Sequence, residues 1–103
     1  MATGPVRTPL AVPRDHPAYA GHFPGHAILP GVVILAEVMA AIEAATARDA
    51  SCWEISNAKF LAPVEPGMAL VLEHEVTPAG GIRFEVRSDR GVVASGTLAP
   101  HLP

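Results

Sequence analysis

The sequence predicts an α+β domain in which one apolar helix is covered by an antiparallel sheet. Three observations carry this. The run from Pro30 to about Arg48 contains GVVILAEVMAAIEAA, apolar almost all the way round a helix. Met68 to Thr77 and Ile82 to Ser88 alternate with the period of two that marks half-buried strands. Glycine-rich turn signals separate these segments at short intervals. A helix apolar on every side needs a sheet on one face and something further beyond it.

The elements follow in order. Val6 to Val12 is a weak strand candidate, and Pro9 confines it to an edge or a strand end. Asp15 to Leu29 is rich in Gly, Pro and His and has neither period, so it reads as a long, stiff loop. Pro30 is well placed in a helical first turn, where its missing N–H is not needed. The helix is expected to be buried on every side and to surface where Glu43, Arg48 and Asp49 bring charge back. Four strands should then form an antiparallel meander: Ser51 to Leu61, Met68 to Thr77, Ile82 to Ser88, and Val92 to Leu98. Their turns are PVEPG at Pro63 to Gly67, Ala79-Gly80-Gly81, and Asp89-Arg90-Gly91. Leu70, Leu72 and His74 should share one face, as should Ile82, Phe84 and Val86.

With 103 residues, the whole chain is expected to form one domain, residues 1–103. Half of it is apolar and only 17% is charged, more apolar surface than a monomer of this size easily hides. A homodimer or larger assembly is therefore expected. The net charge of −3 without a basic run argues against nucleic acid and anionic membranes as partners. Cys52 is the sole cysteine, which rules out an internal disulfide. Met1 to Thr8 lacks a signal-like apolar core, and Ile28 to Ile42 is short for a membrane span and carries Glu37. The expected setting is cytoplasmic. The five histidines lack zinc spacing, so no metal is expected.

The segment Gly21-His22-Phe23-Pro24-Gly25-His26-Ala27-Ile28-Leu29-Pro30-Gly31-Val32 carries the chemistry. It offers a histidine in a stiff loop and a helix start at Pro30-Gly31 with free N–H groups suited to a partly negative oxygen. Glu37 adds one carboxylate about two turns into the helix. A base, an oxyanion donor and an acid are the parts needed for proton abstraction next to a carbonyl.

GHFPGHAILPGV resembles the signature of the FabZ/FabA family of 3-hydroxyacyl-[acyl-carrier-protein] dehydratases, including its short ApeI-like relatives. Ile55 to Gly67 (ISNAKFLAPVEPG) is similar to the family's strand and turn after the helix, so the match spans roughly residues 10–99. The resemblance implies a hot-dog fold, a curved antiparallel sheet wrapped around one long helix. It implies a dimer with joined sheets and active sites at the interface, each with its histidine and its carboxylate from different subunits. It implies a cofactor-free elimination of water from an acyl thioester carried on acyl carrier protein or coenzyme A, giving a trans-2-enoyl thioester in fatty-acid or related lipid synthesis. By position, His22 matches the catalytic histidine and Gly31 the residue whose amide polarises the thioester carbonyl. Phe23, Pro30 and Val32 flank them as substrate-binding candidates.

The pattern breaks at the acid. The family carries it fourteen positions after the histidine, which here is Ala36, with Glu37 one residue later. One residue turns a helix by about 100°. Either Glu37 substitutes for the acid, or it has another role and the site lacks one. The second case leaves a non-catalytic acyl-binding or scaffolding subunit; a hot-dog thioesterase using a Glu37-activated water is the third reading. Leu35, Met39 and Phe60 are expected in the core, where they would also wall an acyl tunnel. Lys59, Arg83 and Arg87 fit either an acidic carrier protein or solvated strand faces.

Overall fold

The computed structural model describes residues 5–10, 29–47, 53–65 and 67–100. Six elements run in the order β1 Val6–Leu10, α1 Gly31–Thr46, β2 Trp53–Phe60, β3 Leu70–Val76, β4 Ile82–Ser88 and β5 Gly91–Pro100. The strands form one antiparallel sheet ordered β1-β3-β4-β5-β2. This corrects the expected four-strand meander. Only β3, β4 and β5 follow one another, while β2 crosses to the far edge and pairs with β5. β1 forms the opposite edge beside β3, and Pro9 sits there opposite Val71, where a missing amide leaves no inner ladder broken.

Turn chemistry sets the register. Thr77 N–H donates to the Gly81 carbonyl at 2.9 Å, and Gly80 takes a φ of 85° between them, a conformation open to glycine. Gly91 closes the β4–β5 turn at φ 121°, with the Arg90 amide donating to Ser88 Oγ at 3.1 Å.

The alternating faces fall as expected. Leu70, Leu72 and His74 are buried, as are Ile82, Phe84 and Val86. β2 contains a β-bulge: Ile55 pairs with Leu98 and Asn57 with Thr97, leaving Ser56 as the extra residue. The bulge shifts the alternation by one. Trp53 and Ile55 before it, and Ala58 and Phe60 after it, therefore all lie on the core-side face of the strand. That explains why alternation in this segment is only partial in the sequence.

The helix meets the sheet along a stripe. Ile34, Val38 and Ile42 recur at four-residue spacing and are buried, with Val33, Leu35, Met39 and Ala41 packed partly against the core. The expectation of burial on every side is corrected for this chain taken alone. Val32 is 72% exposed, and Ala36 and Ala40 are exposed with it on the face turned away from the sheet. Helical propensity and a continuous apolar run do not distinguish a face covered by the chain's own sheet from one left for another surface.

His74 is the buried polar residue among the described ones, and its Nδ1 has no hydrogen-bond partner among them. Across the sheet it faces Val6 on one side and Phe84 on the other. Burial disfavours the imidazolium and lowers the pKa below the ordinary 6.5. The unfolded chain therefore binds this proton more readily than the folded one. The stability that depends on neutral His74 is complete above pH 6.5 and is lost as pH falls below it. Urea melts at stepped pH are expected to show this loss in the wild type and a flatter profile in His74→Leu; identical profiles would remove His74 as the source.

Candidate functional site

The helix start is built by three local features. Leu29 N–H donates to the Val64 carbonyl at 2.8 Å, tying the incoming chain to the β2–β3 connection. Pro30 follows in extended geometry (φ −61°, ψ 145°) as the N-cap, and it offers no side-chain cap. Its carbonyl accepts from the amides of Val33 (3.0 Å) and Ile34 (3.4 Å). The amides of Gly31 and Val32, ahead of those bonds, have no backbone acceptor among the described residues. They add their dipoles to the positive end of a 16-residue helix.

A cleft of about 390 Å³ opens at this point. Leu29, Pro30, Gly31 and Ile34 form one wall, and Phe60 to Pro63 the other. Gly31 has a steric reason to be glycine. A Cβ there would lie 2.7–2.9 Å from three carbons of the Phe60 ring. This corrects the placement of Phe60 in the core: its side of β2 faces inward, but the residue is 50% exposed and stands on the cleft.

The other expected site residues are distributed as follows. Gly31 and Pro30 line the cleft, as a helix-start site requires. Val32 does not, because its side chain lies on the helix face turned from the sheet. Glu37 is half-buried on the flank of the helix, between the core stripe and the outer face, and is not among the cleft-lining residues. Ala36, at the family's acid position, is exposed on the outer face. His22 and Phe23 lie outside the described residues, as do His16, His26, Cys52 and His101. No group of His, Cys, Asp or Glu suited to a metal ion occurs among the described residues.

The arginines of the sheet are already engaged. Arg87 pairs with Glu85 at 2.7 Å and lies 3.9 Å from Glu73, which also takes Arg7 at 3.0 Å. Arg83 lies 3.8 Å from Glu75. These pairs within and between strands make the outer sheet face a neutralised lattice, so Arg83 and Arg87 read as solvated strand positions. Among the described residues, no helix is long and apolar enough to cross a membrane.

Comparison with known proteins decides the family. The model of the ApeI-like family, described as ApeI dehydratase, matches residues 3–97. The chain belongs to the ApeI-like dehydratase family. A 3-hydroxyacyl-[acyl-carrier-protein] dehydratase FabZ of Chlamydia trachomatis serovar L2 is 39% identical over 98 residues, covering 82% of this chain and 64% of the relative. The FabZ of Thermus thermophilus is 37% identical over 70 residues, 60% of this chain and 49% of its own length. The ApeI-like chain thus spans about half to two thirds of these curated relatives. Among solved structures, the dehydratase heterocomplex ApeI:P from Xenorhabdus doucetiae aligns with a TM-score of 0.73 and 25% identity, covering 94% of this chain and 87% of that one. A monoamine oxidase regulatory protein from Archaeoglobus fulgius shares the fold alone, at 20% identity and a TM-score of 0.66. These alignments, with the one helix and five-stranded sheet of the described residues, establish the hot-dog fold.

Proposed function

We propose that this ApeI-like protein is a 3-hydroxyacyl-thioester dehydratase whose acyl group lies in the cleft at the start of α1. The cleft carries the reading, because it joins an apolar wall to a helix N-terminus at Gly31, whose amide has no backbone acceptor among the described residues. A thioester carbonyl oxygen received by the Gly31 amide gains negative charge as the α-proton leaves, and a donor at that position stabilises it. His22 is the base that removes the α-proton. Glu37 is the acid that protonates the departing 3-hydroxyl, so water leaves and a trans-2-enoyl thioester remains. The chemistry needs no cofactor. The carrier is acyl carrier protein or coenzyme A, as the names of the FabZ relatives suggest for the former. The direct test is turnover of a 3-hydroxyacyl thioester, followed by the ultraviolet absorbance of the conjugated enoyl product. A folded protein that never forms the enoyl product sinks the proposal.

A second reading has its own observation. Ala36 removes the carboxylate from the family position, and the ApeI:P neighbour is titled a dehydratase heterocomplex. The chain would then bind acyl thioesters or scaffold a complete partner subunit.

Self-association supports either reading. Ile55, Phe60 and Leu61 expose apolar surface at the β2 edge, and Val32, Ala36 and Ala40 do so on the outer helix face. A two-fold dimer would cover such surface and satisfy the open edge of β2. Light scattering is expected to give at least twice the single-chain mass of 10.7 kDa, shifting toward it in Ile55→Asp. A wild-type protein at 10.7 kDa would exclude a shared site.

A further inference from the structure

The Phe60 ring occupies an unusual position. It is the last residue of β2, and the chain just after it is clamped: the amides of Leu61 and Ala62 both donate to the Val93 carbonyl, at 2.9 and 3.4 Å. Val93 is the extra residue of a bulge in β5, since Val86 pairs with Ala94 and Arg87 with Val92. Phe60 itself pairs with Ala94. The backbone that carries the ring is therefore tied to β5 at Phe60 and just beyond it, while half of the residue stays exposed on the cleft. The tip of the ring rests on the backbone of Gly31, in space that a Cβ would need.

We infer that Phe60 is a specificity residue that limits the width of the acyl cleft beside the thioester carbonyl and selects chains unbranched at the α-carbon. This rests on the proposed seating of the carbonyl at the Gly31 amide. An oxygen accepting that hydrogen bond sits about 2.9 Å from the nitrogen, and because the Phe60 ring tip abuts Gly31, the atoms bonded to the carbonyl carbon enter a cleft that the ring narrows. Two hydrogens fit there. A methyl branch on the ring side competes with Phe60 for the same space, and a ring that swings away gives up its contact with Gly31. The apolar ring also keeps water from that side of the carbonyl. Gly31 and Phe60 thus form a matched pair, the absent side chain of one making room for the ring of the other.

The test separates this inference from the dehydratase reading. Octanoyl-pantetheine and 2-methyloctanoyl-pantetheine lack the 3-hydroxyl and are not dehydrated, so their binding is measurable by calorimetry whether or not the protein is catalytic. Wild type is expected to bind the unbranched thioester about tenfold more tightly, the lower end of what one methyl group is worth in a shaped pocket. Phe60→Ala is expected to bring the two affinities close to equality, and Phe60→Leu, which keeps an apolar residue at this position, to give an intermediate ratio. Melting curves of both variants establish that the fold is retained, and Phe60→Leu alone suffices if Phe60→Ala does not fold. Equal wild-type affinities, a ratio unchanged in the variants, or binding of neither thioester overturns the inference. Turnover of 3-hydroxyoctanoyl-pantetheine on the same samples reports on the reaction: discrimination without turnover sinks the dehydratase reading alone, and turnover without discrimination sinks the role of Phe60 alone.

Discussion

His22→Ala is expected to lower dehydration of a 3-hydroxyacyl thioester by about a hundred- to ten-thousandfold, the range of a positioned general base. The α-proton of a thioester is weakly acidic, and only a base fixed beside it shares in the transition state. An imidazole suits the task because its ordinary pKa lies near neutrality, so the free base is abundant at working pH. The motif around it, with prolines at 17, 24 and 30, limits backbone freedom and so favours one ring orientation. The stability of the variant should be little changed, because the core of the described residues is assembled from the helix and the sheet. Parallel melts and turnover measurements check both halves of this expectation. Activity equal to wild type in a folded His22→Ala protein would take His22 out of the mechanism and leave the Gly31 amide as a binding feature only.

Much of the fold was legible because alternation and turn residues are local. The pattern Leu70-Leu72-His74 against Ile82-Phe84-Val86, with glycine turns between, admits few other arrangements, and the structure pairs His74 with Phe84 and Leu72 with Val86. The position of β2 was not legible. Whether a strand joins its sequence neighbour or crosses to a far edge is decided by packing across the whole sheet, and the bulge at Ser56 disguised its inward face. The helix misled in another way. Its apolar run contains both a stripe that meets the sheet and a face that the described chain leaves exposed, and composition alone weights them equally. At the site, the Pro30-Gly31 helix start followed from the motif, whereas Phe60 was expected first as core and only through the core as a wall of the acyl site. Twenty-nine positions separate Phe60 from Gly31, and a phenylalanine on a strand otherwise suggests core.

Glu37→Gln is expected to collapse dehydration by a similar factor, about a hundred- to ten-thousandfold. Loss of hydroxide from a 3-hydroxyacyl chain is slow unless a proton reaches the leaving oxygen, and an amide cannot supply it. α1 has two carboxylates, Glu37 and Glu43, and Glu43 lies six residues further from the Gly31 amide, or about 9 Å of helical rise. Glu37 is therefore the helical acid best placed to act near the helix start. Geometry also sets the difficulty. Ala36 is exposed on the outer face and Glu37 is half-buried on the flank, so a site built for an acid at position 36 is reached from 37 only by the longer arm of glutamate or by a local change in helical register. The companion variant Ala36→Glu/Glu37→Gln decides between the two positions. If Glu37 has taken over the acid role, the double variant recovers activity only as far as a carboxylate at 36 reaches the same leaving group, and wild type is already active. If wild type is inactive and Ala36→Glu alone confers turnover, the base and the amides are intact and the vacancy at position 36 is what silences the site. In that case the natural chain acts as an acyl-binding subunit, and a dehydrating partner has to supply the acid.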